Sequence, residues 1–93
     1  MKKLTMFYLE NCPYCRSAQA ALDALRELDP AYGEFEIEMI EESRQPELAD
    51  QFDYYSVPTI FAGERKLYEA KLFDSYDVIK DNLRAALDMA LKD

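Results

Sequence analysis

The chain has 93 residues, 49% of them apolar and 32% charged, which suits one folded domain with a single core. Nineteen acidic against eleven basic residues give a net charge of −8 and leave no clustered Lys and Arg for a nucleic-acid surface. There is no His, so a Cys-His nucleophile pair, a Ser-His triad and a mixed Cys/His zinc site are excluded within the chain.

Met1-Lys2-Lys3 is basic, but the apolar run behind it is too short for the core of a signal peptide. No segment approaches the roughly 20 apolar residues of a membrane span. The expectation is a cytoplasmic protein, where a catalytic or metal-binding cysteine pair is commoner than a structural disulfide. Leu4 to Leu9 is a nearly continuous apolar run and predicts a strand covered on both faces, central in a sheet. From Pro13 to about Asp29 the apolar positions Cys15, Ala18, Leu22 and Leu25 recur at helical steps, with Ala21 and Leu28 widening the stripe. Pro13 suits the first helical position, and Asp29-Pro30 with Gly33 ends the helix.

Phe35 to Ile40 alternates apolar and acidic residues and predicts a second strand nearer an edge. Pro46 opens a short helix that buries Leu48, Ala49 and Phe52 and ends near Tyr54. The strand-helix-strand order predicts a parallel pair with a right-handed crossover. Val57 to Ala62 reads as a third strand, Gly63-Glu64 as a turn, and Lys66 to Ala70 as a fourth strand, together an antiparallel hairpin. Ile79, Leu83, Ala86, Leu87, Ala90 and Leu91 mark one face of a last helix capped by Asp74 or Ser75. The order is βαβαββα, a four-stranded mixed sheet flanked by helices, and residues 1–93 are used up by this one domain.

The two cysteines form Cys12-Pro13-Tyr14-Cys15 at the strand-to-helix junction. Their spacing puts both sulfurs on nearly one helix face, within reach of a disulfide. At a helix N-terminus, unpaired N–H groups and the dipole favour thiolate over thiol, below the free value of roughly 8.5. Cys12 is then the nucleophile that forms a mixed disulfide, and Cys15, facing the core and less acidic, is the thiol that resolves it. A lone C-x-x-C also serves as half of a four-cysteine zinc site, but the other half is missing here. Zinc would need a partner chain or several carboxylates. Arg16 either adds positive charge at the site or is a solvated surface residue. Tyr14 flanks the exposed sulfur, and Tyr54 and Tyr55 either line a groove or are ordinary rim tyrosines. The Glu41-Glu42 and Glu64-Arg65-Lys66 clusters read as solvated turns.

With the dithiol, the element order and Val57-Pro58-Thr59 in place, the chain resembles the glutaredoxin branch of the thioredoxin superfamily over essentially its whole length. The tetrapeptide Cys-Pro-Tyr-Cys is the typical glutaredoxin active site. The resemblance implies the thioredoxin fold, a cis Pro58 beside the dithiol, and a docking loop of Val57, Pro58 and Thr59 in which Val57 offers its backbone to an extended substrate. Sequence alone gives an X-Pro bond only about a 5–6% chance of being cis. The chain departs from the glutathione-using pattern at Leu9, where a Lys is usual, and across Leu67 to Phe73, which lack the Gly-Gly pair. It departs from standard thioredoxins at Asn11, before the first cysteine, and at Met6, where a buried Asp is usual. Small glutaredoxin-like proteins that take electrons from thioredoxin reductase are a further comparison, and Phe73-Asp74-Ser75-Tyr76-Asp77 is loosely similar to their signature. Asp74 and Ser75 either bind an amino group or cap the helix.

The expected function is reduction of disulfides by a dithiol mechanism, with glutathione or a thioredoxin reductase as electron donor and no bound cofactor. The substrates are disulfide-containing proteins or small disulfides, without nucleic acid or membrane, and the chain is expected to act as a monomer. Two other classes stay open: a metal or iron–sulfur carrier that dimerises through Cys12, and a peptide-binding module in which the dithiol is incidental.

Overall fold

The computed structural model describes residues 2–92. Its elements run β1 (Lys3–Tyr8), α1 (Pro13–Leu28), α2 (Pro30–Gly33), β2 (Glu36–Glu41), α3 (Pro46–Ala49), β3 (Thr59–Ala62), β4 (Arg65–Glu69) and α4 (Tyr76–Lys92). The four strands form one mixed sheet in the order β2-β1-β3-β4. β1 pairs in parallel with β2 from Lys3 with Glu36 to Tyr8 with Glu41. It pairs antiparallel with β3, which in turn pairs antiparallel with β4. The central place of β1 and the edge place of β2 follow from their patterns, one continuously apolar and the other alternating with Glu.

Side-chain alternation along β1 divides the interior in two. Leu4 and Met6 enter the larger core, which α1 supplies with Ala18, Ala21, Leu22 and Leu25 and α4 with Ile79, Leu83, Ala86, Leu87 and Ala90. Phe7 points to the opposite face, where it meets Ile40 and Phe61 under Leu48, Ala49, Phe52 and Tyr54. The Phe7 ring lies 4.9 Å from Phe52 and 5.0 Å from Tyr54 between centroids. Such aromatic pairs contribute about 0.5–1.5 kcal/mol each beyond the area they bury.

Several expectations need correction. The helix opened by Pro46 ends at Ala49, not near Tyr54. Beyond it Gln51 and Phe52 make only tight-turn bonds to Leu48 and Ala49, and Phe52 and Tyr54 are drawn into the aromatic cluster. Leu28 is 69% exposed and Leu91 37%, so both leave the apolar stripes of their helices. The segment Pro30–Gly33 is not a plain stop but a helical turn capped by the Asp29 carboxylate, which accepts the Ala31 N–H at 2.9 Å. β3 starts at Thr59 and not Val57, since Pro58 has no N–H to give to a ladder.

Candidate active site

Cys12 is the N-cap of α1, in an extended conformation with φ −93° and ψ 116°. Pro13 occupies the first helical position, where its missing N–H costs nothing. Cys12 Sγ accepts the Cys15 N–H at 3.3 Å, and the Cys12 carbonyl accepts the Arg16 N–H at 3.0 Å. One of the four N–H groups that a helix start leaves unpaired is thus aimed at the Cys12 sulfur, at the positive end of the helix dipole. Both cysteines are free thiols. Cys12 is half-buried, and Cys15, one turn in, is buried. Burial, followed by the bond with Cys12, pushes the Cys15 thiol up to about 12, so it rests protonated at neutral pH.

The loop before Cys12 passes through Asn11 at φ 63°, a left-handed conformation that Asn tolerates better than most residues. It is held from β2. Glu41 accepts the Glu10 N–H at 3.2 Å on one carboxylate oxygen, and the Ser43 N–H and hydroxyl at 2.7 and 2.6 Å on the other. The Ser43 hydroxyl and the Glu10 N–H hold the Glu41 carboxyl below its usual range. Glu41 was expected in a solvated turn; it is buried and ties down the approach to the dithiol.

The second wall is the segment before β3. The Val57-Pro58 bond is cis, Pro58 is buried, and its carbonyl accepts the Ala70 N–H at 2.9 Å. Thr59 is 1% exposed and its hydroxyl donates to the Tyr68 carbonyl at 2.9 Å, so its side chain anchors the sheet and does not face a substrate groove. One oxygen of Glu69 accepts the N–H groups of Tyr55 and Ser56, each at 2.6 Å, while the other lies 2.7 Å from Lys66 Nζ.

The third wall precedes α4. Phe73, at φ 71°, donates its N–H to the Tyr14 hydroxyl at 2.8 Å, which joins the dithiol turn to this loop. Asp74 accepts the Lys71 N–H and the Tyr68 hydroxyl, both at 2.9 Å, and Ser75 caps α4 by accepting the Val78 N–H at 3.2 Å. Of the two cap candidates, Ser75 caps the helix and Asp74 shapes the loop. Between the second and third walls lies a groove of about 250 Å³ lined by Tyr14, Ser56, Val57, Ala70, Lys71 and Leu72. Beside it Tyr55, Leu72 and Phe73 are 93%, 73% and 85% exposed. Tyr54 is not part of this rim; its ring packs on Phe7 and its hydroxyl donates to Glu42 at 2.6 Å. A separate hollow, also about 250 Å³, reaches Cys15 between Glu10, Asn11, Arg16 and Gln19.

The structure therefore brings Tyr14 and Val57 to one groove beside the dithiol turn and leaves Thr59 behind it. Glu41 and Glu69 are the residues that the sequence did not single out as supports of the site, whereas Asp74, expected to bind an amino group or cap the helix, holds the loop before α4. Among the described residues, no group of three or more His, Cys, Asp or Glu is placed to hold a metal ion.

The glutaredoxin family model matches residues 4–67. Among solved structures, the chain is similar to a thioredoxin from Malassezia sympodialis at a TM-score of 0.69 and 16% identity, over 96% of this chain and 74% of that one. Thioredoxin 1 from Thermosipho africanus superposes with a TM-score of 0.59 at 17% identity, over 95% and 97% of the two chains. A malarial protein aligns over 94% and 93% at 19% identity and a TM-score of 0.64. At such identities these likenesses concern the fold alone. No curated protein sequence matches the chain.

Proposed function

From the premise that this chain belongs to the glutaredoxin family, we propose that it is a cytoplasmic thiol–disulfide oxidoreductase working by a dithiol mechanism. The observation that carries the reading is the Cys15 N–H pointing at Cys12 Sγ from the first turn of α1, with the Cys15 thiol buried beneath. The Cys12 thiolate attacks one sulfur of a substrate disulfide. A mixed disulfide forms, and the other substrate sulfur leaves as a thiolate and takes up a proton. Cys15 then loses its proton and attacks Cys12 Sγ, which closes the Cys12–Cys15 disulfide and releases the second substrate sulfur as a thiolate. Two electrons have passed to the substrate.

The order of the two steps has a physical basis in the thiol pair. Hydrogen bonding with Cys12 and its negative charge are, after burial, among the causes that hold the Cys15 pKa high. Once the Cys12 sulfur sits in a mixed disulfide, its charge is gone, and Cys15 becomes easier to ionise when its turn comes. Tyr14 and Val57 line the groove next to this turn and are assigned to substrate docking, with Pro58 fixing the Val57 end. The electrons that regenerate the dithiol come from glutathione or a thioredoxin reductase. The apolar wall of Ala70 and Leu72 favours the reductase, because it offers glutathione's charged ends only Lys71.

The test uses Cys12→Ser and Cys15→Ser with a disulfide-linked peptide. Cys12→Ser is expected to abolish turnover, and Cys15→Ser to accumulate the mixed disulfide, visible as a mass increase. A reduced Cys15→Ser protein that, with no added reductant, releases both peptide thiols as fast as wild type refutes the assigned roles. The oxidised wild type, offered glutathione or thioredoxin reductase with NADPH, is expected to be reduced faster by the reductase.

A further inference from the structure

The hairpin of β3 and β4 contains a break in register. Ile60 pairs with Tyr68, but Phe61 pairs with Lys66, so Leu67 is an extra residue in β4. In a regular strand, residues three apart point to opposite faces. Here Lys66 stands opposite Phe61 and Glu69 opposite Thr59, two β3 residues on the same face. The bulge therefore turns Glu69 to the side of Lys66, and their side chains meet at 2.7 Å. On that side Glu69 reaches the start of the docking loop, where one carboxylate oxygen takes two successive backbone N–H groups, those of Tyr55 and Ser56. The side chain is only 18% exposed. Burial alone would raise its pKa, but Lys66 and the two N–H groups outweigh burial and lower it, so the clamp stays ionised at neutral pH.

Tyr54 and Val57, on the two flanks of the clamped pair, pack on the Phe7 cluster, and Glu69 takes the N–H groups of the two residues between them. Between α3 and β3 the chain has no helix or strand, and Tyr55 is almost fully exposed. Pro58 and Thr59 are held by the backbones of Ala70, just past β4, and of Tyr68 within it, and Glu69 extends this grip to the residues just before Val57.

We propose that Glu69, aimed by the bulge in β4, is a positioning residue that fixes the Tyr55-Ser56 segment leading into the docking residue Val57, and that it sets affinity for a polypeptide disulfide without setting the reactivity of Cys12. The inference rests on the oxidoreductase reading. Its physical content is preorganisation: a loop already fixed loses less conformational freedom when an extended substrate lies along it. Without the carboxylate, that ordering is charged to substrate binding and shows in KM. The chemical step at Cys12, whose hydrogen bonds come from α1 and whose loop is tied to Glu41, is left as it was.

The experiment compares wild type, Glu69→Ala and Glu69→Gln, with a disulfide-bonded peptide as substrate and dithiothreitol as reductant, and measures Cys12 alkylation by iodoacetamide in parallel. Glu69→Ala is expected to raise KM about 10-fold, with kcat and the alkylation rate within twofold of wild type. Glu69→Gln keeps an acceptor oxygen for both N–H groups and is expected to stay within about threefold of the wild-type KM. An unchanged KM in Glu69→Ala overturns the proposal. So does a fall in kcat and alkylation together, which is the mark of general destabilisation. A wild-type protein that leaves the peptide oxidised sinks the oxidoreductase reading itself, whereas an active wild type with an indifferent Glu69 sinks only this inference.

Discussion

Cys12 and Cys15 share one helical turn but not one environment, and the difference has a consequence for stability as well as chemistry. The folded protein holds the Cys15 thiol at about 12, far above the roughly 8.5 of a free cysteine, mainly through burial. Well below pH 8 both the folded and the unfolded chain carry the proton, and the group contributes nothing to the pH dependence. Above pH 9 the unfolded chain gives up the proton while the folded one keeps it, so unfolding becomes easier as pH rises toward 12. Between pH 8 and 10 the loss amounts to on the order of 1 kcal/mol. Tyr68 and Tyr54, raised by burial and by their bonds to Asp74 and Glu42, subtract further stability above pH 10 in the same direction. Cys15→Ser keeps the shape of the site but not the ionisation. Urea unfolding of the reduced proteins at pH 8 and 10 is therefore expected to show a smaller alkaline loss in Cys15→Ser than in wild type. Equal losses in the two proteins would mean that Cys15 ionises as easily inside as outside.

At the scale of elements, the pattern of the chain is most informative where a segment's partners are close in sequence or its apolar run is long. The continuous run of β1 marks a central strand, the Glu alternation of β2 an edge, and Gly63 the turn of the hairpin; each appears in the sheet where its pattern puts it. The cysteine pair at the strand-to-helix junction was equally legible, because capping and Pro13 are local features. The rest depended on contacts between remote segments. Glu69 clamps backbone 13 and 14 residues away, and Glu41 an N–H 31 residues away, so nothing in the residues around them distinguishes these carboxylates from solvated ones. The bulge at Leu67 has the same character, since it is a mismatch between two strands and not a property of either. Likewise α3 stops early because Phe52 and Tyr54 find partners in Phe7 and Phe61 across the sheet face. The two glycines make the contrast between local and tertiary control testable. Gly63 has φ 61° and nothing within 4 Å of an added Cβ, so Gly63→Ala meets backbone strain only, about 1–2 kcal/mol. A Cβ on Gly33 meets the Arg26 carbonyl at 3.9 Å, an ordinary contact, and Gly33→Ala is expected to be neutral or to stabilise by up to about 1 kcal/mol. At roughly 4–8 °C per kcal/mol for a domain of this size, thermal melts separate the two outcomes. A Gly63→Ala protein that melts with the wild type would contradict the turn's role.

For the whole molecule the dominant quantity is charge: −8 on a chain with a radius of gyration of 12.3 Å. Only charges within a screening length of the dithiol act on an approaching ligand, about 8 Å at physiological ionic strength but about 30 Å at 0.01 M. In dilute salt the entire molecule therefore repels an anionic disulfide and attracts a cationic one, and at 0.15 M mainly the neighbours of Cys12 count. Those neighbours carry both signs: Glu10 and Arg16 are exposed on either side of the dithiol, and the Glu42 charge acts on Cys15. The two small disulfides that separate these regimes are glutathione disulfide, which is anionic, and cystamine, which is cationic. The ratio of their reduction rates, cystamine over glutathione disulfide, is expected to fall about threefold or more between 0.01 M and 0.15 M salt. Stopped-flow measurement of the reduced protein with each compound gives the ratio directly. A ratio that ignores salt would show that the net charge does not act at the dithiol even at long range. The apolar groove would then be left as the sole ground for preferring a polypeptide partner to glutathione.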